Sequence, residues 1–412
     1  MLSTPSPPPA PAPQPDPAAK PVTHPASPMR AIVALSLASF ASQAMVRTAD
    51  TLLPQIAANF AVTVGIASIV ITAYALTHGS MQFITGPIAD RFGKYHAVAL
   101  ACALSAVTVA LCGLAWSLQS LTLARFLSGA TVAWILPISL AYIGDVVPYE
   151  QRQQVLGRFL AGQVLGQLFG QAAGGIIGDY FGWRTTFFVL AAMFAIAAIA
   201  LSMQLVTNPV TRVARDAPKG PGMLADYRTV LHNPWARIML LAVGLEGIFF
   251  QGIFSYIGAD LHLRFGLSFT AVGLIIGVFA LGGLIYAASV RPLMRRLGQT
   301  GIANTGGVIL GLSFLTLAAE PVWYFAPLAT LGVGLGFYML HNTLQTEATQ
   351  MTPEARGTSV ALFASMYFIG QTVGVALGAP VMDRYDGPPL FVISAVVLPM
   401  LAFWFTRRLT RR

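Results

Sequence analysis

The chain has 412 residues, 56% of them hydrophobic and only 9% charged, with a mean hydropathy of +0.69. A soluble domain carries roughly 25% charged residues because its outer layer must be polar. The composition therefore argues against a soluble enzyme, a nucleic-acid binder or a secreted disulfide scaffold. It argues for a multi-spanning membrane protein, whose helices can be apolar all round. Lys and Arg total 24 against 15 Asp and Glu, a formal net charge of +9.

Residues 1–28 hold eleven prolines, from Pro5 to Pro28. Repeated proline fixes φ and removes N–H donors, so this stretch is expected to be a disordered, polyproline-II-rich cytoplasmic tail. It has neither the basic start nor the apolar run of a signal peptide. From Arg30 onward come twelve apolar runs, near 30–53, 64–87, 95–116, 120–143, 155–178, 183–205, 235–258, 268–290, 299–319, 322–345, 357–381 and 388–406. Each is about 18–25 residues, enough to cross a hydrocarbon core of about 30 Å as helix. The alternating pattern of an outer-membrane barrel is absent. Cys102 and Cys112, ten residues apart in one run, would stand about 15 Å apart on a helix and cannot bridge.

Placing the amino terminus in the cytoplasm and alternating the runs sorts the positive charges. Nineteen Lys and Arg fall on the cytoplasmic side, against Arg184, Arg264 and Arg384 on the other, while Arg47 and Arg125 lie within runs. This is the asymmetry of the positive-inside rule. It puts both termini in the cytoplasm and accounts for the basic balance without nucleic acid.

The polar stretch 206–234 separates six runs from six. The expected organisation is a tail (1–28), a six-helix bundle (29–206), a cytoplasmic linker (207–234), a second six-helix bundle (235–406) and a basic cytoplasmic end (407–412). The halves resemble each other at offsets of 204–205. Phe60–Thr63 aligns with Phe265–Ser268, Gly86–Gly93 with Arg291–Gly298, and Gly166-Gln167 with Gly370-Gln371. Gly170, Gly174 and Asp179 align with Gly374, Gly378 and Asp383. Equivalent points lie six spans apart, so both halves cross the membrane in the same sense. Two parallel bundles about a shared axis are a transporter architecture with a midplane site between the halves.

Gly86-Pro87-Ile88-Ala89-Asp90-Arg91-Phe92-Gly93-Lys94, between the second and third runs, resembles the signature loop of the major facilitator superfamily. Span count, central loop and repeat agree with that family over residues 30–406. The resemblance implies an all-α membrane protein of twelve transmembrane helices, in two six-helix bundles related by a pseudo-two-fold axis. Arg125-Phe126-Leu127-Ser128-Gly129 resembles the fourth-helix arginine motif of proton-coupled drug antiporters. Gly162, Gly166, Gly170, Gly174 and Gly175 resemble their fifth-helix motif, with Gln171 standing where that motif has proline. The implied function is secondary active efflux of a small organic or drug-like molecule in exchange for protons, by a monomer in a bacterial inner membrane. The alternatives are an uptake permease for a sugar, carboxylate or other metabolite, and a transporter-like receptor.

Charges inside spans cost about 2.5–3.5 kcal/mol each at the bilayer centre, so they mark function. Arg47 and Asp50 share a face of the first helix with Gln43, and Arg125 on the fourth is expected to meet Asp50. Glu246, near the middle of the seventh helix, has no sequence-local cation. It must face a cavity, find a partner on another helix or stay protonated, and it is the leading candidate for a site shared by proton and substrate. An imidazole can titrate near neutrality, so His341 joins this coupling set from the tenth helix. Tyr74, Phe250, Asn342 and Gln345 are candidate cavity-lining residues, with Phe249, Phe254 and Tyr256 extending an aromatic stripe.

At the cytoplasmic mouth, Gly86 and Gly93 permit a tight turn. Asp90 is expected to face the positive amino-terminal end of the eleventh helix near residue 357, with Arg91 and Lys94 beside it and Asp145 pairing with Arg91. The glycine ridge of the fifth helix is expected to pack on Gly273 and Gly277 of the eighth. No Walker-type loop, zinc spacing or nucleophile elbow is present, so neither an enzyme nor a cofactor or metal site is expected, the proton being the coupling ion.

Overall fold

The computed structural model describes residues 28–212 and 223–411, and among these every regular element is a helix. Span 1 is Pro28–Asn59, and span 2 runs 64–92 as a single turn, Val64–Ala67, followed by Ile69–Phe92. Span 3 is Lys94–Gly113, span 4 Leu118–Val146, span 5 Tyr149–Phe181 and span 6 Trp183–Thr207. A linker helix, Met223–His232, precedes span 7, Pro234–Phe265. The 51-residue run Phe269–Ala319 breaks at Gly298, where φ is 63°. It is therefore span 8 (269–297) and span 9 (299–319). Span 10 is Ala326–Ala348, span 11 Arg356–Tyr385 and span 12 Pro388–Leu409.

Ten helical stretches among the described residues are long and apolar enough to cross a bilayer on composition. Two differences reconcile this with twelve spans. The break at Gly298 divides one stretch in two. Span 5 stands outside the ten because glutamine and glycine occupy positions where the other spans carry aliphatic side chains. The proline-rich tail, residues 1–27, and the linker residues 213–222 lie outside the described residues.

Helix starts follow local chemistry. Thr63, Ser117 and Ser268 each accept the N–H three residues on, and Asn233 caps span 7 ahead of Pro234. The repeat is visible in the backbone as well. The positive-φ residues of the described chain are Ala61, Gly93, Gly182, Gly266, Gly298 and Asp386. They form three pairs, Ala61 with Gly266, Gly93 with Gly298 and Gly182 with Asp386, at the sequence offset of 204–205. Equivalent loops make equivalent left-handed turns.

Close packing within each bundle obeys the same offset. A Cβ at Gly166 would strike the Phe40 carbonyl, and one at Gly170 the Ala44 carbonyl, both on span 1. In the second bundle, Gly370 faces the Gly244 carbonyl and Gly374 the Ile248 carbonyl, on span 7. The fifth-helix ridge thus packs on span 1, not on span 8. Its i, i+4 glycines lie on the face turned into their own bundle, and Gly162 has open space. Only Gly175, on the next face, meets span 8, at the Phe269 carbonyl and Gly273.

Gly170→Val and Gly374→Val each push a side chain into a neighbouring backbone, an overpacking cost of about 1–3 kcal/mol. Both variants are expected to lower the thermal midpoint of the detergent-purified protein, while Gly162→Ala leaves it unchanged. Equal midpoints for all three would refute this packing.

Candidate functional site at the bundle interface

Spans 1 and 7 approach the axis between the bundles, and their buried polar residues meet there. Arg47, 2% exposed, donates Nη1 to Asp50 Oδ2 at 3.1 Å and Nη2 to Gln251 Oε1 at 2.6 Å. The Tyr367 hydroxyl donates to the same Gln251 oxygen at 2.5 Å, and the Arg47 guanidinium lies 4.4 Å from the centre of the Phe254 ring. Arg47 and Gln251 are 204 positions apart. Repeat-equivalent residues from the two halves thus touch each other, which places the contact on the pseudo-two-fold axis.

The partner that the sequence could not supply for Glu246 is His341. Glu246 is completely buried, and its Oε2 lies 2.8 Å from His341 Nδ1. The His341 ring packs 4.8 Å from both Phe337 and Tyr367, and its side chain keeps 15% exposure. Directly after Glu246 the helix widens into a π-helical segment, Gly247–Gly252. Gly247 and Gly252 pack against the backbone of span 11 at Gly370 and Gly374, and the wider turn carries Gln251 to the axis. Such segments recur at functional sites.

Two polar pairs are thereby joined, Asp50–Arg47 in the first half and Glu246–His341 in the second. Gln251 and Tyr367 connect them. Asp50 Oδ1, Arg47 Nε and Glu246 Oε1 are buried without a hydrogen-bond partner. Buried polar atoms are normally satisfied, so three such atoms in one cluster single it out as the candidate site. An imidazole held on a carboxylate can take up one proton and keep it without leaving an isolated charge. No group of three or more His, Cys, Asp or Glu able to hold a metal ion occurs among the described residues.

The other expected residues are distributed differently. Arg125 does not pair with Asp50. It donates Nε to the Val70 carbonyl at 3.2 Å, approaches Met45 Sδ and lies 4.2 Å from the centre of the Tyr74 ring. That guanidinium ties spans 1, 2 and 4 together inside the first bundle, and Tyr74 is its buried platform, not a cavity wall. Phe250 is likewise core. It stacks on Phe337 at 4.3 Å and belongs to a cluster with Phe254, Phe279 and Phe314. Gln43 and Asn342 are half-buried and Gln345 is exposed. Gln251 and Tyr367 escape the sequence reading, although the repeat offset marks both. Gln251 is the equivalent of Arg47, and Tyr367 that of Gln163.

On the face opposite the termini, two carboxylates join the bundles. Asp179, near the end of span 5, accepts the N–H groups of Phe269 and Thr270, at 3.0 and 2.6 Å, from the start of span 8. Its repeat equivalent Asp383, near the end of span 11, accepts the Gly65 N–H and the Thr63 hydroxyl, both at 2.6 Å, from the start of span 2. Each carboxylate sits on the positive end of a helix in the other bundle. On the terminal side, no described atom lies within 4 Å of where a Cβ would stand at Gly157, Gly162 or Gly357. Lys94 pairs with Asp145 at 2.5 Å, within the first bundle, while the expected Arg91–Asp145 contact lies outside the described residues. Gly93 makes the expected tight turn, with φ 81°. Gly86 and the side chains of Asp90 and Arg91 lie outside the described residues.

Replacing both Asp179 and Asp383 with Asn removes the charge from both contacts. With Ser255→Cys as a buried reporter on span 7, the double variant is expected to label about three- to tenfold faster with an impermeant maleimide applied from that face. Each single variant should give a smaller rise. Unchanged labelling in the double variant would show that the carboxylates do not hold this face shut.

Known proteins share this arrangement. A family model described as Major Facilitator Superfamily matches residues 35–375. The chain is 28% identical over 331 residues to the uncharacterized MFS-type transporter YceJ of Bacillus subtilis (strain 168), covering 79% of this chain and 82% of that protein. It is 26% identical over 396 residues to a protein described as a probable sugar efflux transporter of Pasteurella multocida (strain Pm70), covering 90% and 92%. Multidrug resistance protein 1 of Bacillus subtilis (strain 168) is 23% identical, covering 81% and 86%. Among solved structures, a point mutant of the nucleoside transporter NupG superposes with a TM-score of 0.75 at 15% identity, covering 91% of this chain and 98% of that one. A bacterial homolog of the human lysosomal transporter Spinster, inward-facing and unoccupied, gives 0.72 at 18% identity, covering 92% and 98%. With its family model, its twelve-span fold and a polar site on the axis between two parallel halves, the chain belongs to the Major Facilitator Superfamily and is a membrane transporter, not an enzyme.

Proposed function

We propose that this transporter exports a small organic molecule in exchange for protons, by tilting its two bundles about the axial site. The observation that carries the reading is the buried Glu246–His341 pair with its unpartnered carboxylate oxygen, linked through Tyr367 and Gln251 to Arg47 and Asp50. A proton taken up by the pair removes the need for a counter-charge, and its release restores that need. Substrate and proton thereby favour different states of one site, the minimum that coupled exchange requires. The names of the sugar-efflux and multidrug-resistance relatives support the outward direction.

The positive-inside distribution supports cytoplasmic termini, and the bacterial relatives support an inner-membrane location. In that orientation the Asp179 and Asp383 contacts close the periplasmic face. Asp90, Arg91 and Lys94 would close the cytoplasmic face in the opposite state. The axial site lies within one chain, so a monomer suffices.

The test uses purified protein in vesicles loaded with a pH-sensitive dye, supplied in turn with glucose, lactose, uridine, ethidium and lactate. The wild type is expected to move protons against the flow of whichever compound it carries. Glu246→Gln should abolish the substrate-driven pH change while leaving the thermal midpoint intact, and His341→Gln should shift its pH dependence. Proton movement at wild-type level in Glu246→Gln would remove the pair from the mechanism, and co-directional movement would make the protein an importer.

A further inference from the structure

Between the axial charges and the terminal face lies a second set of polar side chains that the coupling chemistry does not use. Gln163, Gln167 and Gln171 repeat at i, i+4 and i+8 along one face of span 5. That face looks at the second bundle. Gln167 Oε1 is 3.4 Å from the Tyr338 hydroxyl of span 10, the Gln171 carbonyl abuts Gly273, and Gly175 one turn further on touches span 8. On span 10, Tyr338 faces them, and Asn342 and Gln345 follow it at i+4 and i+7. The two rows hold five carboxamides and a phenol, and none of the six is ionisable near neutral pH.

The hydrogen-bonding state of these groups is unusual. Gln171 is completely buried, and neither its Nε2 nor its Oε1 has a partner. Gln163 Nε2 is also buried without one. A buried carboxamide left unpaired at both ends loses its hydrogen bonds to water and regains none, which is strongly destabilising. No structural role offsets that cost here, since neither group ties one helix to another. A carboxamide offers donors and an acceptor side by side, which matches a hydroxyl group, itself both donor and acceptor. The ionised groups nearby are mutually paired, Arg47 with Asp50 and Glu246 with His341. The six side chains of the rows themselves bring no charge to a ligand. The half-buried rings of Phe40 and Phe169 on the adjoining faces of spans 1 and 5 offer flat apolar surface to the C–H side of a ring.

From this juxtaposition we infer that the substrate is an uncharged, hydroxyl-rich small molecule of the sugar class. Gln163, Gln167 and Gln171 bind it from the first bundle, and Tyr338 and Asn342 from the second. The inference rests on the transport reading and adds the chemical class and the residues that select it. Gln171, at the place where the antiporter motif has proline, is then a specificity residue. Proline there could supply no side-chain hydrogen bond.

The test is counterflow exchange in vesicles with equal pH on both sides and a protonophore present, which needs no proton coupling. Labelled glucose, lactose and uridine are compared with ethidium and lactate. A neutral hydroxyl-bearing compound is expected to exchange, and neither charged compound should. Gln167→Leu and Gln171→Leu should each raise the KM for that compound about tenfold, as the loss of one buried hydrogen bond predicts, with the maximal exchange rate within about twofold. Gln171→Asn should recover part of the loss. If Gln171→Leu does not fold, the half-buried Gln163→Leu and Gln167→Leu carry the measurement. Exchange of ethidium or lactate in place of the neutral compounds, no exchange of any neutral compound, or an unchanged KM in the leucine variants overturns the assignment. A failure of proton coupling reads out separately, in net downhill flux of that compound from loaded vesicles without protonophore, as flux with no accompanying pH change.

Discussion

Charge inside a membrane must be matched within the protein, and the whole arrangement depends on how that is done at the axis. Arg47 and Asp50 bring opposite charges from one helix, and Gln251 from the other half, itself held by the Tyr367 hydroxyl, accepts a hydrogen bond from the guanidinium. Neither bundle satisfies its own polar groups fully. The two halves are therefore held to a common site by polar complementarity, beside close contacts of span 2 on span 11 and of span 5 on span 8. A contact of this kind can break and reform as a unit. A continuous apolar interface would resist opening.

Duplication supplies the second constraint. The same glycine contacts recur in spans 5 and 11, the same left-handed turns in three pairs of loops, and the same aspartate-to-helix contacts at the face opposite the termini. Each aspartate reaches across to a helix start whose N–H groups are otherwise free, so the carboxylate is stabilised without a basic partner. Two such contacts, related by the axis, close one face evenly. At the terminal ends of spans 5 and 11, no described atom comes within 4 Å of where a Cβ would stand at Gly157, Gly162 or Gly357.

Where duplication is imperfect, chemistry appears. Arg47 meets its own repeat equivalent, Gln251, and the two are different residues. The Glu246–His341 pair has no counterpart in the first bundle, where Ser42 stands at the position equivalent to Glu246. A fully symmetric axis would place like beside like. The departures put the Glu246–His341 pair in one half and the uncharged glutamine row of span 5 in the other.

Much of this is legible in the sequence. Apolar run length fixes the spans, because a helix must cross a given thickness. The offset of 204–205 fixes the parallel halves, and the rarity of buried charge singles out Arg47, Asp50 and Glu246. Periodicity also marks the glycine ridge, but not what it touches. A 3.6-residue period defines a face without defining its neighbour, and the ridge serves span 1. For the same reason Arg125, expected on Asp50, lies on Tyr74, and Phe250, expected in a cavity wall, lies in the core. Pairings such as Glu246 with His341, 95 residues apart, depend on how helices rotate and tilt against one another. Sequence alone determined which side chains could not be left alone in lipid. Only the tertiary structure decided which partners they have, because helix–helix contacts are chosen by three-dimensional packing that no local pattern encodes.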